Sequence, residues 1–159
     1  MILLAWLAAG AVIATAPASA QQPVLPAPAA QASSAPVARV FGSSTGLVLN
    51  FIKADKTADF EAVLAKLKDA LEKSTNPVRK QQAASWRVYK SPEAAAGGAA
   101  LYVYIVDPAV KGADYSVTAI LAEAFSGDEL TALYKTYNEA YATGQNFVNL
   151  ALVSELGKN

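Results

Sequence analysis

The sequence predicts an α+β fold, a four-stranded antiparallel sheet with helices packed on one face, and three observations carry that prediction. Two short runs, 47–53 (LVLNFIK) and 99–108 (AALYVYIVDP), are apolar at both alternating positions, as strands covered on both faces are. Stripes with apolar residues at i, i+3, i+4 and i+7 lie between strand-like segments. Turn signals at Asn76-Pro77, Ser91-Pro92, Gly97-Gly98 and Asp107-Pro108 separate these segments from one another.

Taken in order, residues 1–20 hold an uncharged apolar run and end in Ala18-Ser19-Ala20, the small-residue pattern of a cleavable secretory signal. The run is shorter than the ~20 residues a bilayer span needs, so cleavage after Ala20 leaves no stable membrane insertion and a periplasmic or secreted chain. The alternative is an uncleaved anchor, because the segment has no basic residue before its apolar run. Residues 21–45 are rich in Pro, Ala, Ser and Gln and read as a disordered linker. The remaining 46–157, about 110 residues, suffice for one α+β domain with its own core.

Within that domain the first strand covers 47–53. A helix follows, opened by Asp55 or Thr57, with Phe60, Val63, Leu64, Leu67 and Leu71 as its buried stripe and an Asp69–Lys73 pair at i, i+4 outside it. Asn76-Pro77 ends this helix. The basic pair Arg79-Lys80 falls in 78–84, a solvated connector, since two adjacent cations without a glycine loop or helix N-terminus make no phosphate cradle. Residues 85–90 form the second strand, joined by a longish loop to the third at 99–108. A helix over 117–125 buries Val117, Ile120, Leu121 and Phe125. Ser126 and Glu129 form a capping box for the next helix, whose stripe is Leu130, Leu133, Tyr134, Tyr137 and Tyr141, ending at Gly144; a last strand covers 146–153. The order is βαββαβ, a ferredoxin-like sandwich whose first and third strands lie in the middle of the sheet.

The phrases Trp86-Arg87-Val88-Tyr89-Lys90, Leu101 to Pro108 and Lys111 to Val117 resemble uncharacterised exported bacterial proteins associated with the dimeric α+β barrel superfamily, over 46–156. The resemblance implies two ferredoxin-like sheets paired face to face around a lumen, which holds substrate in the superfamily's enzymes. Enzymes and haem binders of that superfamily use histidine or acidic residues there; this chain has no histidine, and no catalytic motif accompanies the resemblance.

Composition excludes more than it selects. With no cysteine and no histidine the chain has no thiol nucleophile, no imidazole base, no Ser-His-Asp triad and no common zinc or haem ligand set, so no metal and no cofactor is expected. Thirteen basic and thirteen acidic residues leave no field to attract nucleic acid. Period-two alternation sorts the strand residues into two sets. If helices cover the aliphatic set, the open face gathers Asn50, Arg87, Tyr89, Tyr102, Tyr104, Phe147 and Asn149, candidates for a dimer face or a ligand wall. The first reading is a non-catalytic exported domain that forms a homodimer through its sheet face. The alternative is a periplasmic small-molecule-binding protein, with Arg87 supplying charge and Asn50 and Asn149 orienting the ligand. The third is a cofactor-independent enzyme whose base would be a tyrosine, an arginine or a carboxylate such as Asp107 or Asp114, none in a recognisable spacing.

Overall fold

The structure, a computed structural model, describes residues 38–157; residues 1–20, read above as a signal, and 21–37 of the expected linker lie outside them. Among the described residues no helix is long and apolar enough to cross a membrane. The elements are β1 (Thr45–Ile52), α1 (Thr57–Lys73), α2 (Pro77–Ser85), β2 (Trp86–Ala94), β3 (Ala100–Val106), α3 (Val117–Ala124), α4 (Gly127–Ala140) and β4 (Tyr141–Leu150). The four strands form one antiparallel sheet in the order β2-β3-β1-β4, so the two runs apolar on both faces, β1 and β3, occupy its centre.

The helix α1 follows its stripe: Phe60, Val63, Leu67 and Leu71 are buried and Leu64 packs beside them. A single 3-10 turn, Ala54–Lys56, leads into it, and neither Asp55 nor Thr57 caps it. The Asp69–Lys73 pair forms at 3.5 Å on the exposed side. Two helices fill the second crossover, with Val117, Ile120 and Leu121 buried on α3 and Tyr137 on α4.

The first crossover also contains two helices, where the sequence predicts one and a connector. Asn76 ends nothing here; its Oδ1 accepts a hydrogen bond from the Val78 amide at 2.9 Å and Pro77 takes the first helical position, so the dipeptide that reads as a stop is the cap of α2. Arg79 is not solvated. Its guanidinium lies buried between α2 and α3, donating to both carboxylate oxygens of Glu123, to Gln82 Oε1 and to the Asp114 carbonyl. That partner holds the Glu123 carboxyl below its ordinary value. The ion pair, which the sequence separates by more than forty residues, ties the two crossovers together.

Two further differences concern the ends of the sheet. The helix α4 stops at Ala140 and β4 starts at once, so Gly144 is part of the strand rather than a left-handed cap, and Ser126 makes no side-chain cap. The packed body also begins upstream of Gly46. Phe41 is 2% exposed, stacked on Phe147 at 4.1 Å and edge-on to Tyr115 at 5.1 Å. Gly46 makes that seat possible, because a Cβ there would fall inside the Phe41 ring. Gly46→Ala should therefore expel Phe41 or bend β1 and cost about 1–3 kcal/mol, the usual range for overpacking; an unchanged denaturant midpoint would show that the ring has room to move.

Candidate functional site: the open face of the sheet

The strand register decides which residues share a face. Val48 pairs with Tyr104 on one side and Phe147 on the other, and all three belong to the core cluster or pack against it beneath the helices. Ile52, Tyr102, Val106 and Trp86 lie on that same side; the Phe60 ring of α1 sits 4.9 Å from that of Tyr102. On β1, β3 and β4 the helices thus cover the set assigned from the sequence to the open face, whereas on β2 Trp86 and Val88 lie on the helix side and Arg87 and Tyr89 on the open side, as expected. Left open is the aliphatic set: Leu47, Leu49 and Phe51 on β1, Leu101, Val103 and Ile105 on β3, and Val148 and Leu150 on β4.

These side chains stand in cross-strand rows. Leu47 is flanked by Ile105 and Val148, Leu49 by Val103 and Asn146, and Phe51 by Leu101. Each shields its neighbours' flanks, so the β1 and β3 members are only partly exposed although no other element covers them. Their tips form a continuous apolar surface. Arg87 and Tyr89 border it on the edge strand β2, Tyr89 opposite Val103 and 51% exposed. Past β4 the chain carries Leu152, Val153 and Leu156 almost wholly in solvent.

The sheet therefore separates the seven residues that the alternation groups together. Only Arg87 and Tyr89 lie on the open face. Asn50, Tyr102, Tyr104 and Phe147 are under the helices, and Asn149 holds the entry to β1 by accepting from the amides of Gly42 (2.7 Å) and Ser43 (3.3 Å). No single wall is made from Asn50, Arg87 and Asn149.

Asn50 instead organises a polar island in the core. Its Nδ2 donates to the carbonyls of Val48 (3.3 Å) and Tyr102 (3.2 Å), which leaves Oδ1 as an acceptor for Gln145 Nε2 at 2.7 Å and the Tyr141 hydroxyl at 3.0 Å. The Tyr137 hydroxyl joins through Tyr141 and Gln145. A fully buried amide is tolerated here because each of its hydrogens and its oxygen has a partner. Burial pushes the Tyr104, Tyr137 and Tyr141 phenols above their ordinary value, so all three keep their protons. The Tyr102 ring is buried but its hydroxyl donates to the half-exposed Glu61, whose carboxyl that bond and the neighbouring Lys90 hold below the usual range. The carboxylates weighed as bases have structural partners. Asp107 accepts from Thr45 Oγ1 at 3.2 Å, and Asp114 accepts from the Arg39 amide and from the Ser116 amide and hydroxyl.

Sequence reasoning missed Arg39, Gln145 and the aliphatic face as a surface. The first two fall outside any strand or stripe the sequence marks, and only the fold brings them beside Tyr137 and Asn50. Compared with protein families, curated proteins and solved structures, the chain matches no family model, no curated protein and no solved structure.

Proposed function

We propose that this chain is an exported, non-catalytic α+β domain that homodimerises through the open face of its sheet, in the manner of the dimeric α+β barrels. The observation that carries the reading is the composition of that face: three apolar side chains from each central strand and two from β4, with no helix over them. Four strands ~4.8 Å apart and some six residues long give a footprint of roughly 300 Å², more once side-chain relief is counted, which a soluble monomer seldom leaves in water. Leu152, Val153 and Leu156, which follow β4, are further exposed apolar side chains that a partner could cover. A second copy is the occupant that fits, because the face is apolar and uncharged at its centre and a twofold axis sets the same patch against itself. The antiparallel order β2-β3-β1-β4 supports reading the domain as ferredoxin-like with a doubled helix in each crossover. The apolar run and Ala18-Ser19-Ala20 support export.

Sedimentation velocity of the chain tests the proposal. A dimer at micromolar concentration, insensitive to salt because the contact is apolar, is the expected result; a monomer at every accessible concentration would rule out the interface.

A further inference from the structure

On the helix side of the sheet a cleft of about 590 Å³ opens between the N-terminus of α3 and the α4–β4 junction, walled in part by Thr118, Asn138 and Thr143. It narrows inward to a chamber of about 20 Å³ at Tyr104 and Phe147, and Arg39, Ser116, Val117 and Gln145 line both parts. Two sets of donors stand around it, the Arg39 guanidinium and the first amides of α3. The Arg39 guanidinium makes no ion pair among the described residues, and Arg39 shares the cleft with Tyr137. The first amides of α3 have no intrahelical acceptor, and the Ser116 hydroxyl does not cap them, being turned to Asp114 at 2.6 Å.

Independently of the helix end, Tyr104 is 1% exposed and its hydroxyl has no hydrogen-bond partner among the described residues. A buried phenol without an acceptor costs free energy that an acceptor in the inner chamber would recover. The neighbouring polar island offers the Tyr137 hydroxyl and Asn50 Oδ1, but each already accepts from Tyr141 and Gln145, so neither is a free acceptor for Tyr104. The adjacent carboxylate, Asp114, accepts two amides and a hydroxyl on Oδ1 and makes no ion pair with Arg39 among the described residues.

We infer that this cleft binds a small organic acid, its carboxylate held by Arg39 and the Val117 and Thr118 amides, with the Tyr104 hydroxyl donating from beneath. A guanidinium, a helix N-terminus and a phenol all favour anionic oxygen. The apolar walls at Phe147 and Val117 and the volume of the outer cleft suit a molecule with a hydrocarbon body better than a bare inorganic anion.

Amide NMR of the full chain, titrated at constant ionic strength with acetate, benzoate and inorganic phosphate in separate arms, tests the inference. Saturable shifts of the Val117 and Thr118 amides with benzoate, reached by about 50 mM and tighter than with acetate, are expected. Arg39→Gln should weaken benzoate at least tenfold and Tyr104→Phe several-fold, each with the spectrum elsewhere unchanged as proof of folding. Shifts that stay linear, saturation by phosphate alone, or an Arg39→Gln variant that binds benzoate as the parent does would each overturn the assignment. Should Tyr104→Phe unfold the chain, the Arg39 arm decides alone.

Discussion

Replacing Phe60 with alanine should lower the stability of the folded domain by about 3–5 kcal/mol, a large share of what a domain of this size possesses. Phe60 is fully buried where α1 meets the sheet, with the rings of Tyr102, Tyr141 and Tyr137 at 4.9, 5.8 and 6.0 Å. Those neighbours are poorly placed to collapse into the space. Tyr137 and Tyr141 are held by their hydroxyls to Gln145 and Asn50, and Tyr102 to Glu61, so the cavity stays open and the loss falls toward the upper end of the range. On the other side of the same helix Lys66 pairs with Glu129 at 2.8 Å, both about half exposed, and Lys66→Ala should cost under about 1 kcal/mol. Equal shifts of the two variants in denaturant melts would mean that α1 is rotated from the orientation described.

Val103→Asp should abolish self-association while leaving the chain folded. Val103 is at the centre of the open face, between Leu49 on β1 and Tyr89 on β2, and in a single chain its side chain reaches water, so a carboxylate there is tolerated. In a twofold dimer the same substitution acts twice and brings two like charges into an apolar contact, a loss of at least about 3 kcal/mol, or over a hundredfold in the dissociation constant. The adjacent position behaves oppositely. Tyr104→Asp would place a carboxylate in the core under the helices and unfold the domain rather than divide a dimer. Sedimentation together with circular dichroism separates the two cases; a Val103→Asp chain that remains dimeric would remove the interface from this face.

Much of the architecture is legible in the sequence because it rests on periodicity. The stripes of α1 and α3 and the central place of β1 and β3 follow from spacing alone, and so does the division of each strand into two sets of residues. What alternation cannot say is which set the helices cover. The rule that the greasier face is the covered face presumes a monomer with one dry side, and it selects Leu47, Leu49 and Val103. Here the layer under the helices is built of Tyr102, Tyr104, Trp86 and Phe147, whose larger rings fill the space beneath α1 and α3; the Tyr102 hydroxyl finds a partner in Glu61, while the Tyr104 hydroxyl and the Trp86 indole nitrogen have none among the described residues. Asn50 reads as a solvent residue for the same reason; its satisfaction depends on Gln145 and Tyr141, more than ninety positions away. The Arg79–Glu123 pair and the cap at Asn76-Pro77 failed to register for a different cause. A residue before proline stops one helix and starts another with equal ease, and only the presence of a buried partner turns a basic pair from surface into core.

The most direct test of the central claim is an isotope-filtered NOE experiment on a mixture of methyl-labelled and unlabelled chains, which reports only contacts between copies. Intermolecular contacts are expected from the methyls of Leu49, Leu101, Val103 and Val148, and none from Leu67 or Ile120 beneath the helices. Intermolecular contacts confined to the helix surfaces, or none at concentrations where the chain is pure and folded, would contradict it.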